Sequence, residues 1–126
     1  MITNEIKQFL KTGKRNQWFE LRGMRVYLRH GFHSIKNAQL AAVANCIDLA
    51  SVEVYNEGKG TFTKFLDKLE VLMDEIPDKS LYVENVLSER FANFFRRRPD
   101  YIECNAPDRC FLRKGAQATL NPPKHL

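Results

Sequence analysis

The stretch that most constrains this chain runs from Cys46 to Leu66. Ile47, Leu49, Ala50, Val52 and Val54 put apolar side chains on both faces of an extended run, as in a central strand covered on both sides. Asn56-Glu57-Gly58-Lys59-Gly60 then turns the chain into Thr61-Phe62-Thr63-Lys64-Phe65-Leu66, the opening of a helix. A strand that ends in a glycine turn and starts a helix gathers backbone N–H groups and the positive end of a helix dipole around one small volume. An anion fits there.

Two common phosphate-binding patterns fail on spacing. Gly58-Lys59 is followed by Gly60 rather than Ser or Thr, and the P-loop's upstream glycine is missing. The dinucleotide fingerprint needs a third glycine where Thr63 stands.

The helix after the glycines carries Phe62, Phe65, Leu66, Leu69, Leu72, Met73 and Ile76 at i, i+3, i+4 spacing, and Pro77 ends it. Upstream, Ile2, Ile6, Phe9 and Leu10 predict a short amphipathic helix over 4–12. Alternation from Trp18 to His33, interrupted at Gly23, predicts a hairpin or a bent pair of strands. Ser34 to Asn45 fits either a short helix or a loop leading into a strand that starts near Val43. Downstream, Ser80 to Val83 reads as a strand, and Leu87, Phe91, Phe94 and Phe95 mark a helix that runs to about Arg98. Tyr101 to Cys104 and Arg109 to Arg113 read as a closing strand pair around Asn105-Ala106-Pro107-Asp108. Gly115 to Leu126 reads as a flexible tail.

With 126 residues the chain is one domain, and 44% apolar residues exclude a disordered class. A net charge of +5 favours acidic partners. Cys46, Cys104 and Cys110 form no metal or disulfide spacing, which suits a reduced, cytoplasmic chain. No apolar run is long enough for a membrane span. His30 and His33 are three apart, a spacing that suits metal on a helix better than on a strand, and read as surface histidines; no metal site is expected. Arg96-Arg97-Arg98 complement the dipole at a helix end, or hold a phosphate or an acidic partner.

The strand, the glycines Gly58 and Gly60 and the helix after them resemble the acetyl-CoA loop of the GNAT superfamily of N-acetyltransferases. Leu81-Tyr82-Val83-Glu84-Asn85-Val86-Leu87-Ser88-Glu89-Arg90 resembles the next strand and helix, as found in small phage-encoded members. The resemblance implies an α+β fold with a central mixed, mostly antiparallel sheet flanked by helices. It divides the chain into an N-terminal helix and linker (1–17), the acetyltransferase domain (18–114) and the tail (115–126).

It also implies acetyl-CoA as cofactor and an amine acceptor, with a host protein one candidate. The pyrophosphate would meet the backbone of Glu57, Gly58, Lys59, Gly60 and Thr61, with hydroxyls from Thr61 or Thr63. The pantetheine arm would pair with the backbone of Val52 and Val54, the Val54 N–H would polarise the thioester carbonyl, and Asn85 would hydrogen-bond cofactor or substrate. Counting residues along the strand gives Asp48 the same pleat parity as Val52 and Val54. The resemblance therefore implies Asp48 as general base; its other reading is an ion pair to Arg25 or Arg29. Tyr55 occupies the motif's Gln/Arg slot, and Phe95 stands where many relatives carry a tyrosine acid, so water would protonate the leaving thiolate. The alternative function is a non-catalytic descendant that binds nucleic acid or a host protein through its basic surface.

Overall fold

The computed structural model describes residues 4–12, 16–36, 41–55, 58–105 and 108–120. The elements are α1 (Asn4–Thr12), β1 (Asn16–Leu21), β2 (Met24–Lys36), β3 (Ala41–Val54), α2 (Thr61–Asp74), β4 (Ser80–Val83), α3 (Glu89–Arg97), β5 (Tyr101–Asn105) and β6 (Arg109–Arg113). The strands form one sheet in the order β1-β2-β3-β4-β6-β5, antiparallel throughout except for β3 beside β4. The fold is mixed α+β, with a mostly antiparallel sheet.

The apolar stripes seen in the sequence explain the layers. Ile6, Phe9 and Leu10 of α1, Phe65, Leu66, Leu69 and Met73 of α2, and Ala92 and Phe95 of α3 all enter one core with Ile47, Leu49 and Val83 of the sheet. The three helices therefore cover the same sheet face, and the N-terminal helix α1 shares that core. Burying each large side chain contributes about 1.5–3 kcal/mol.

The opposite face is concave. β2 and β5 have three strands between them in the sheet order, yet they approach each other. The curl encloses a second core of Ile35, Ala44, Cys46, Tyr82, Cys104, Cys110 and Leu112.

Several expectations change. Ser34–Lys36 and Ala41–Asn45 are neither helix nor loop but the paired ends of the long β2–β3 hairpin. Helix α3 starts at Glu89, capped by Ser88, whose Oγ accepts from the Phe91 N–H at 3.2 Å, so Leu87 lies outside it and is 76% exposed. The segment 115–120 is docked: Gln117 N–H donates to Pro77 O at 2.8 Å, and Leu120 packs on the concave core. The histidines are half-buried and engaged rather than simply exposed. His30 Nε2 lies 2.8 Å from Phe9 O, and the His33 ring stacks on Tyr82 with centroids 3.9 Å apart. Of the expected final turn, Ala106 and Pro107 fall outside the described residues.

A bulge in β3 organises the functional region. The register passes from Tyr27↔Ser51 to Leu28↔Leu49, which leaves Ala50 as the extra residue. One inserted residue reverses pleat parity beyond it. Val52 and Val54 thereby share the helical face with Ile47 and Leu49, while Asp48 goes to the concave face with Ala44 and Cys46. The parity that grouped Asp48 with Val52 and Val54 does not hold.

Candidate functional site

β3 and β4 run parallel and then part. Their pairing ends at Leu49↔Val83, where the last contact, Glu84 N–H to Leu49 O, is stretched to 3.4 Å. Asn85 then adopts a left-handed backbone at φ 55°, which asparagine tolerates better than most residues. The Val86 N–H next bonds Arg109 O at 2.9 Å, so the chain leaves β3 for the β6 side. Arg109 secures this diversion by donating to Val86 O at 2.8 Å and Leu87 O at 3.1 Å. Among the described residues, no strand pairs with β3 on the vacated side between Ala50 and Val54.

The gap opens into a cleft of about 1050 Å³, lined by Val52 and Val54, by the turn and helix start at Gly58, Gly60, Thr61 and Thr63, and by Glu84, Asn85, Phe91 and Phe94 across from them. The direction of its free backbone groups follows from one bond. The Tyr55 N–H donates to Gly23 O at 2.9 Å on the β2 side. Through a trans peptide and strand alternation, the C=O and N–H of Val54 point the other way, into the gap.

Gly58 and Gly60 hold positive φ, 81° and 70°. Gly60 is the N-cap of α2 and makes no side-chain cap bond, so the first N–H groups of the helix meet the cleft without a competing side-chain acceptor from the cap. Lys59 is exposed and is not part of the lining. Glu57 lies outside the described residues.

The arginine run divides by role. Arg96 is held by Glu103 at 2.7 Å and by Glu89 at 2.7 Å, and Arg98 by Glu70 at 2.8 Å and by Asp67. Arg97 and Arg90 line the cleft, are exposed, and have no ion pair among the described residues. They give its outer rim a positive field.

Asp48 is not in the cleft lining. It is 2% exposed, with Oδ2 2.7 Å from His33 Nε2 and 3.5 Å from Arg29 Nε. Of its two readings, the ion pair is the one present. Among the described residues, the carboxylate that faces the cleft is Glu84, which also pairs with Arg29. Burial pushes its carboxyl above the usual range, Arg29 opposes that, and the neighbouring Asp48 charge adds to it. Sequence reasoning passed over Glu84; the available signal was its place at the end of a short strand, beside Asn85. The structure thus brings Val52, Val54, Gly58, Gly60, Thr61, Thr63 and Asn85 to one cleft, adds Glu84, Arg90 and Arg97, and separates Asp48.

No protein-family model matches the chain, and no curated protein matches it.

Proposed function

We propose that the protein is an acetyl-CoA-dependent N-acetyltransferase of the GNAT type that acts on an amine. The observation that carries this reading is the parting of β3 and β4 beyond Leu49 and Val83, which leaves the Val52–Val54 backbone facing a cleft whose mouth is the glycine turn and the start of α2. The sheet order, the single parallel pair and the α2 crossover between its strands fit the same reading.

In this mechanism the pyrophosphate lies against the N–H groups at Gly58–Thr61, where the dipole and the close backbone approach favour it. Arg97 or Arg90 adds a charge-assisted contact. The pantetheine amides extend along Val52 and Val54 like an added strand. The Val54 N–H donates to the thioester oxygen as negative charge develops, a contribution typically of about 2.7–4 kcal/mol. Glu84 takes the role first assigned to Asp48: its raised pKa suits a base that removes the ammonium proton, directly or through water. The amine nitrogen then bonds to the carbonyl carbon and gives up its second proton to water, the C–S bond breaks, and the thiolate takes a proton from water, since Phe95 is buried and offers none.

Calorimetric titration with acetyl-CoA and with CoA tests the reading. Micromolar binding of both is expected. A chain that binds neither, yet binds a DNA duplex at physiological salt, supports the second reading, in which Arg90 and Arg97 serve an acidic partner.

A further inference from the structure

The concave face carries a second constellation next to the cleft. His33 from β2, Asp48 from β3 and Glu84 from just beyond β4 each offer a ligand atom, and these atoms lie within 4.8 Å of one another. We infer that His33, Asp48 and Glu84 form a binding site for a divalent first-row transition ion, of which Zn2+ is the representative.

Four observations support it. The register sets His33 opposite Ala44 and Arg29 opposite Asp48, so the His33 side chain reaches Asp48 diagonally across the β2–β3 pair, and its ring is held flat on Tyr82, the β4 residue opposite Asp48, at an interplanar angle of 7°. Asp48 is 2% exposed, and its Oδ1 is buried with no hydrogen-bond partner among the described residues. A buried carboxylate oxygen without a partner is costly, and a cation removes that cost. The charge count leaves room for one as well: two carboxylates face one guanidinium, that of Arg29, which bonds Glu84 and stays 3.5 Å from Asp48. Finally, Gly31 opens space at this spot. A Cβ there would stand 3.5 Å from Asp48 Oδ2 and 3.7 Å from His33 Nε2.

The donor set selects the ion class. One imidazole nitrogen with two carboxylates suits Zn2+, Co2+, Mn2+ or Fe2+ better than Ca2+ or Mg2+, which take all-oxygen sets. Three protein ligands leave a coordination position for water. Arg29 is the competitor for the same carboxylates, so its removal strengthens the site.

The test uses the full, untagged chain without acetyl-CoA, so that it stands apart from the acetyltransferase reading. Zn2+ is titrated in thermal melts, and Co2+ is titrated by visible absorption, which reports its ligand set. The wild type is expected to gain thermal stability with Zn2+ and to develop a Co2+ ligand-field band. Both responses disappear in His33→Gln and in Glu84→Gln, and Arg29→Met binds more tightly than wild type. Should one ligand variant fail to fold, the other decides. A wild type and an Arg29→Met chain that both leave Co2+ in its aqueous spectrum would overturn the inference. So would a band that survives in a folded His33→Gln chain, because the ion would then be bound elsewhere.

Discussion

Replacing both Gly58 and Gly60 by alanine separates the proposed cofactor role of this turn from its role in the fold. A Cβ built at either position meets nothing within 4 Å, so the substitution brings no clash and its cost is confined to the backbone. An L-residue held in the left-handed region costs about 1–2 kcal/mol, which makes about 2–4 kcal/mol for the pair. A domain with about 5–15 kcal/mol of stability survives that loss. With a urea m-value of about 2 kcal/mol/M, the midpoint falls by about 1–2 M and the slope is unchanged. Binding suffers more. On the proposed function, the new methyl groups stand on the turn that the pyrophosphate approaches, and losing two hydrogen bonds to a charged group, at about 1.5–3 kcal/mol each, is expected to weaken acetyl-CoA at least about 100-fold. Urea unfolding and calorimetry on the same preparation check both halves. A folded double variant that binds acetyl-CoA like the wild type refutes the loop assignment, and one that does not fold refutes the stability estimate.

Gly115→Ala should do the opposite. Its Cβ would lie 2.2 Å from Lys79 O and 2.4 Å from Pro77 O, so the docked segment must shift; a loss of about 1–3 kcal/mol in urea unfolding, with acetyl-CoA affinity unchanged, is expected. Glu84→Gln should lower the acetyl-transfer rate about 10²–10⁴-fold while cofactor affinity holds, measured by steady-state kinetics once an acceptor amine is in hand. For Glu70, burial raises the carboxyl pKa, but bonds from Arg98 and Tyr101 outweigh it and hold the group below its ordinary value. Its folded pKa is thus below its unfolded one, so its contribution is complete above the unfolded value and is lost as pH falls through the folded value. Thermal melts against pH should show a shallower acid limb in Glu70→Gln.

What was legible in the sequence was what is local. The Gly58/Gly60 turn, the α2 stripe from Phe65 to Met73 and the short strand at Ser80 depend on neighbours within a few residues, and the structure places each as expected. The bulge at Ala50 depends on pairing with β2, and nothing in the run from Cys46 to Val54 announces an extra residue. Every parity argument across it failed for that reason, and Asp48 with it. His33 lacked a visible acidic neighbour because Asp48 and Glu84 are remote in sequence; only the order β2-β3-β4 makes them adjacent. The run from Gly115 to Leu120 looked like a tail because it has little apolar content, whereas its docking rests on backbone bonds and on the space a glycine leaves.

The most direct test of the cofactor cleft is the backbone amide spectrum of 15N-labelled protein titrated with CoA. The cleft reading predicts the largest shifts at Val52, Val54, Gly58, Gly60 and Thr61, with Ile35, Cys104 and Cys110 on the concave side little changed. Shifts centred on the concave face, or none at saturating CoA, would contradict it.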